Sequence, residues 1–539
     1  MSTPSDDPTW CNASTSAAAV ASSSAAQIEI LPAKKGGSRF FGFNMTTCVG
    51  LWCVLLLIGG LFALVNLRGT PISPMSPSGF VQASVDAQEL TRQCRQSLQS
   101  AKDIASTIRE QAPGSIDELL EQVNSMDIAL GFGSFAYLLS EVSPHEAVRD
   151  AATECFLSLD KFTTELYLDR SVYDRAVAFS AAAASDQLAQ RRYRKFLNAF
   201  ERSGIGLETL ELRDQAKNLS NALDELSTAF EHRLAADMRS FTFDPTVNAI
   251  LLSGLDPDFV AAHTNVTTGF VTITTDYPDA IHISKYSKSA WLRKKMHTLS
   301  RERGAPGNLA TLKEVLEKRW NFAKLLGWSH FADYITANKM ISNAAKADQF
   351  TRSVANLTKA DAEREIGKLR ELKRIDLGLG ADVDIPIEAF DYSFYSTQLR
   401  ERDYALNASE IRQYLRYANT RNGVLWAAGK LFHVTFVNVT GSVATWHPEV
   451  EVYDVHWRMP TDGSSATGGH SSRIGRIYLD MHPRPDKYKH AAQFTMRDGV
   501  MGVHLPEACL VTNFPATGPM EHSQVTTFFH ECVALPARE

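Results

Sequence analysis

Residues 40–67 carry no charged side chain, and residues 49–65 are dominated by Leu, Val, Ile, Phe and Trp. About 20 apolar residues in a helix cross the hydrocarbon of a bilayer. A core helix of a globular domain seldom goes so far without a charge, because one of its faces meets water. The run therefore predicts one transmembrane helix over residues 40–68. Lys34, Lys35 and Arg39 precede it, and Arg68 alone follows closely. The positive-inside bias then puts the N-terminus in the cytosol and the large C-terminal body on the lumenal or extracellular side. A cleaved signal peptide usually has a shorter apolar core and lacks such a long polar lead.

The flanking segments follow from this anchor. Residues 1–39 are rich in Ser and Ala, have no apolar period and read as a disordered cytosolic tail. Asp6, Asp7 and Glu29 argue against a mitochondrial transit peptide, which is poor in acids. Residues 69–87 hold Pro71, Pro74 and Pro77 among Ser and Gly, the texture of an extended stalk. Sequons at Asn218, Asn265, Asn356, Asn407 and Asn438 are candidate glycan sites for a body across the membrane. Cys94 and Cys155 fall on neighbouring predicted helices. They are a disulfide candidate in an oxidising compartment, or else two buried thiols. No CxxC pair exists for a cysteine-based structural zinc site. Net charge is −6 with both signs interspersed. That argues against a nucleic-acid partner, which would be met by a basic stripe.

From about residue 86 to 239 the pattern is helical. Ser143, Pro144 and Glu146 predict a capped start, with Ala147, Ala151, Ala152, Cys155, Phe156 and Leu159 on one face. A second helix over residues 208–234 would bury Leu212, Ala216, Leu219, Leu223, Leu226 and Phe230. Residues 270–275 alternate as a strand, 277–279 read as a turn, and 281–283 as a possible return strand. Helices resume over 289–377, where Phe350, Val354, Leu357, Ile366, Leu369, Leu372 and Ile375 form a long apolar face. The texture then turns to β, with candidate strands at 433–437, 450–457, 473–480 and 508–514, and a polar loop at 460–472. A last helix covers 521–533.

That helix carries His530-Glu531, which looks like the first half of HExxH. In that motif two histidines one turn apart bind zinc and the Glu between them acts as general base. Ala534 stands at the second-His position. His447, His456, His470, His482 and His490 show no helical i, i+4 pair that would replace it.

Seven blocks in order give the chain a wider resemblance. They are LSGLDPDF at 252–259, RGAPGN at 303–308, AKLLGWSHFADY at 323–334, WHPEVEVY at 446–453, GRIYLDMHPR at 475–484, NFP at 513–515 and EHSQVTTFFHE at 521–531. Over roughly residues 90–531 the chain resembles the thimet oligopeptidase, neurolysin and oligopeptidase A family of zinc metallopeptidases. The resemblance implies a mainly α, two-lobed zincin-type fold with a small mixed sheet at about 431–514. It implies an N-terminal helical domain at 88–260 and a metallopeptidase catalytic domain at 261–539 that is incomplete. It implies cleavage of short peptides within a narrow channel, one Zn2+ per subunit, His530 as a metal ligand and Glu531 as the catalytic base. The second His and the Glu ligand are absent. The simplest expectation is a metalloendopeptidase truncated within its motif, so that the polypeptide as given is inactive. The alternative is a non-catalytic, membrane-tethered helical protein that binds peptides or a partner.

Overall fold

The computed structural model describes residues 86–405, 408–457 and 472–534. The tail, the apolar run, nearly all of the stalk, Asn407 and His470 lie outside the described residues. Among those described, no helix is long and apolar enough to cross a membrane.

Seven helices come first: α1 (Ala87–Glu110), α2 (Ile116–Leu130), α3 (Phe132–Val142), α4 (Glu146–Leu166), α5 (Arg170–Val177), α6 (Gln187–Ser203) and α7 (Leu210–Ala236). A small ribbon of β1 (Ser240–Phe243) and β2 (Val271–Thr274) brackets α8 (Pro257–His263). Next come α9 (Tyr277–Tyr286), α10 (Ala290–Arg301), α11 (Gly307–Leu325), α12 (Phe331–Thr336), α13 (Ala344–Asp376), α14 (Tyr392–Tyr404), α15 (Ala408–Arg412) and α16 (Tyr417–Phe432). The last section holds β3 (Val434–Asn438), β4 (Glu451–Trp457), β5 (Arg473–Asp480), β6 (Ala492–Arg497), β7 (Glu507–Val511) and α17 (His522–Ala534). The fold is mainly α, as expected.

Short polar caps set many of the helix starts. Asp86, Ser115, Asp186, Thr209 and Asn343 each accept a first-turn backbone N–H of the helix they precede. The expected Ser143 cap is not used in that way. Helix α4 begins at Glu146 with His145 in the cap position, and the Ser143 hydroxyl accepts from the His145 N–H at 3.3 Å. The α4 core face is Val148, Ala152, Cys155 and Leu159, while Ala147 is exposed. Cys94 of α1 and Cys155 of α4 are joined by a disulfide, with Cα atoms 5.7 Å apart.

The five-stranded sheet has the order β3-β4-β5-β7-β6. Only β5 and β7 run parallel; the other pairs are antiparallel. Period-two alternation splits its side chains between two cores. Val452, Tyr478, Cys509 and Val511 face Leu90 of α1 and Phe135, Leu138 and Leu139 of α3. Tyr453, Ile477, Leu479 and Leu510 face Val424 of α16 and Phe528 and Cys532 of α17. The sheet is buried on both faces, and the buried charges its central strands carry are paired, Asp454 with Arg476 and Asp480 with Arg484.

Three further expectations are corrected. Residues 277–286 form α9, not a turn and a return strand. Pro278 sits in its first turn, where the missing N–H costs nothing, and β2 pairs instead with β1. On α7 only Ala216 and Thr228 are buried; the expected apolar face is largely half-buried. On α13 only Leu369 is buried, and Phe350, Val354 and Leu357 stand 64%, 41% and 81% exposed.

Asp160 of α4 and Asp224 of α7 meet where those helices pack. Burial, then the charge of its neighbour, raises the Asp224 pKa from 3.8 to about 8; Asp160 is also raised, chiefly by burial. The folded-state value lies above the unfolded one, so the folded chain binds more protons across this window. The pair's contribution to stability is therefore fully present below about 3.8 and is lost as pH rises towards about 8. Urea denaturation from pH 5 to 8 should show this loss, and Asp224→Asn should flatten it. An identical slope in the variant would remove the assignment.

Candidate active site

Helix α17 packs through Gln524, Phe528 and Cys532, spaced one turn apart. Phe528 sits against Phe514 and Tyr417, with ring centroids 5.6 and 6.4 Å away. The opposite side presents His522, Thr526, Phe529 and His530 to solvent. His530 is thus exposed and Glu531 half-buried at the edge of the packed side. Burial raises the Glu531 carboxyl above the ordinary range, and His530 only partly offsets this.

The start of α17 is held by one buried carboxylate. Glu521 receives Lys285 Nζ at 3.0 Å, Arg412 Nε at 2.8 Å and the Tyr286 hydroxyl at 3.1 Å. Its own N–H donates to Gln524 Oε1 at 2.8 Å, which satisfies a donor that the helix leaves free. Arg412 also bonds Asp256 Oδ2 at 2.7 Å. The C-terminal ends of α9 and α15 therefore converge on the N-terminal end of α17.

Behind this junction lies a cavity of ≈ 780 Å³, bordered by Asp256, Phe259, His263, His282, Arg412 and Glu521 among others. The Phe259 ring is sandwiched between His263 and His282, each 4.1 Å away. His263 places Nδ1 2.7 Å from Phe259 O and Nε2 2.9 Å from Asp279 Oδ1. Burial lowers the His263 pKa, but the Asp279 carboxylate and the Phe259 carbonyl outweigh it and the pKa is raised. His282 is 3% exposed. Burial first, then Arg412, pushes it down to about 4.

The other histidines singled out from the sequence do not gather at His530. His482 packs on Tyr417 and faces Phe514 O, while His490 bonds the Tyr277 hydroxyl. His447 lies beside Glu449, and His456 sits on β4. Among the described residues, no three His, Cys, Asp or Glu side chains are grouped to hold a metal. His530 and Glu531 alone do not fit a catalytic zinc, which takes three protein ligands.

The family model for Peptidase family M3 matches residues 283–532, from within α9 to just past Glu531. Over that stretch, a little under half of its length, the chain is similar to peptidase family M3. Saccharolysin of Saccharomyces cerevisiae is 24% identical over 514 residues, spanning 88% of this chain and 68% of saccharolysin. Thimet-like oligopeptidase of Dictyostelium discoideum is 26% identical over 416 residues, 73% of this chain and 59% of that protein. Oligopeptidase A of Escherichia coli is 23% identical over 489 residues, 86% of this chain and 67% of the relative. The chain thus spans about six- to seven-tenths of these relatives' lengths.

Sequence reasoning quoted Glu521 only as part of a block and missed the His263–Phe259–His282 stack. No local signal marks either, because their partners are far away along the chain. The Glu521 junction is testable. Glu521→Ala leaves Lys285 without its partner and Arg412 with Asp256 alone. The loss in stability should be on the order of 3 kcal/mol by urea denaturation. Glu521→Gln should lose less, since its amide oxygen still accepts from Tyr286. A neutral Glu521→Ala would show that the junction is not what seats α17.

Proposed function

We propose that the protein is a zinc-dependent metalloendopeptidase acting on short peptides, and that the polypeptide as given holds only part of its catalytic set. The observation that carries this reading is the His530-Glu531 pair on a helix packed against a mixed sheet, inside the M3 match. Glu531, with its raised pKa, is suited to take a proton from an attacking water. His530 would supply one zinc ligand. Ala534 has no donor atom for a second, and the described residues group no third.

The polypeptide as given should therefore bind zinc poorly and show no chelator-sensitive hydrolysis of a quenched fluorescent peptide. Ala534→His alone should bring at most weak zinc binding, because a third ligand is still wanting. Chelator-sensitive turnover by the unaltered chain would overturn this reading. The second reading, a non-catalytic peptide- or partner-binding protein, draws on Trp426 and Phe529, which are 68% and 41% exposed on the adjoining helices α16 and α17.

The same proposal includes a single-pass anchor at residues 40–68, with the body on the non-cytosolic side. The uncharged run and its basic N-terminal flank support this. The Cys94–Cys155 disulfide agrees with an oxidising compartment. The protein with its N-terminus intact should stay in the membrane pellet through alkaline carbonate extraction. Its release into the supernatant would count against the anchor.

A further inference from the structure

We propose that an N-linked glycan on Asn218 seats in the groove between α7 and α11 and covers the indole of Trp320. The inference rests on the non-cytosolic placement of the body put forward above. The two helices run antiparallel. Arg233, late in α7, donates to Asn308 Oδ1 and Thr311 Oγ1 early in α11, both at 2.7 Å. The early turns of α7 therefore lie beside the late turns of α11. A groove of ≈ 610 Å³ opens there, bordered by Gln215, Asn218, Leu219, Lys318, Trp320 and Lys324 among others.

The lining suits a carbohydrate. Trp320 is 52% exposed, and Lys324 holds its ammonium 4.6 Å from the ring centroid. A pyranose ring can lay its C–H face on an indole while its hydroxyls bond Gln215 and Lys318. Apolar surface with a few polar groups beside it is the usual make-up of a small-molecule site. The attachment atom is already in the groove. Asn218 opens the sequon Asn218-Leu219-Ser220 and is exposed at the groove.

Other sequons lack this combination. Asn265 Oδ1 is engaged by the N–H groups of Thr267 and Thr268 at 2.9 and 3.0 Å. Asn438 Oδ1 accepts from Thr440 N–H at 2.8 Å. Asn356 borders a groove on α13 that has no aromatic side chain. In the transfer itself, a lipid-diphosphate-linked oligosaccharide is the donor. A bond forms between sugar C1 and Asn218 Nδ2 and the C1–O bond to the diphosphate breaks. The lipid diphosphate and the amide proton leave.

Trp320 also ends an apolar line along α11. Leu309, Leu312 and Leu316 precede it at helical spacing, 66%, 43% and 46% exposed. A protein laid along that line is the competing occupant, and the test separates the two.

The full chain, made in a secretory eukaryotic cell, is oxidised by hydroxyl radicals alongside Asn218→Gln, and side-chain oxidation is read by mass spectrometry. The expected result is an occupied Asn218 and Trp320 oxidation several-fold lower than in the variant, with Trp426 equally oxidised in both. Enzymatic removal of the glycan from the folded protein should expose Trp320 to the same extent, without relying on the variant's folding. Equal Trp320 oxidation with and without the glycan overturns the proposal. So does an empty Asn218 in a protein glycosylated elsewhere. Protection that persists in Asn218→Gln assigns the surface to a protein partner and also overturns it. If no sequon is occupied, the placement of the body fails, and the inference fails with it.

Discussion

The buried carboxylate of Asp480, at the end of β5, is the point on which the sheet and the helices covering it depend. It is 2% exposed, accepts from Trp446 Nε1 at 2.8 Å and Arg484 NH1 at 2.6 Å, and forms an ion pair with the Lys487 ammonium 2.8 Å away. Burial alone would raise its pKa. Arg484 and Lys487 outweigh burial and hold it at about 2. Lys487 is fully buried, and burial pushes it down to about 8 against the pull of Asp480. Its other donors reach the carbonyls of His482 and Thr512, at 2.6 and 2.7 Å. Arg484 also reaches the carbonyl of Val142 at the end of α3. One charged cluster thus fastens β5, the segment after β7, the Trp446 loop and α3. Buried ions are costly to desolvate and are sustained only by near-complete pairing. Here almost every donor has an acceptor, so the cluster specifies one arrangement of the pieces around it.

The candidate site inherits its position from that arrangement. Thr512 and Phe514 follow β7 directly, and Phe514 N donates to Met481 O at 2.8 Å, next to the cluster. Phe514 then packs on Phe528, which fixes the depth of α17 under the sheet. Glu521 fixes the helix's other coordinate by drawing in Lys285, Tyr286 and Arg412. Apolar packing thus sets how deep α17 sits, and a buried charge sets where it begins. Its solvent-facing side, with Phe529 and His530, is left without a covering element among the described residues.

Much of the secondary structure was legible because it is local. Strand β5 matches the predicted 473–480, and α17 lies within a residue of the predicted 521–533. Strand β6 was missed. Its residues 492–497 alternate apolar and polar as a half-buried strand does, and β7 pairs with it antiparallel. Helix α9 was misread because packing overrode a local preference. Ile281 and Ile283 favour strand by type, but Pro278 in the first turn and the burial of His282 and Ile283 against neighbours override that preference. The apolar residues at 350–357 have a helical period and do form a helix. Periodicity, however, states only that a face is apolar, and nothing in the described structure covers this one.

The sequence by itself determined the helical class, the strand-rich stretch before the last helix, the resemblance to the oligopeptidase family and the His530-Glu531 pair with Ala534 one turn on. Each of these is carried by residue type at short spacing, which local physics reads directly. The tertiary structure alone decided that α1 and α3 share a core with the sheet, and that Cys94 meets Cys155. It alone decided that Glu521 gathers cations from two distant helices, that Phe259 lies between two histidines, and that Asn218 opens onto Trp320. These depend on which surfaces meet after the chain has folded back over hundreds of residues. Pairings at that range follow from the packing of the whole core, and no local pattern encodes them.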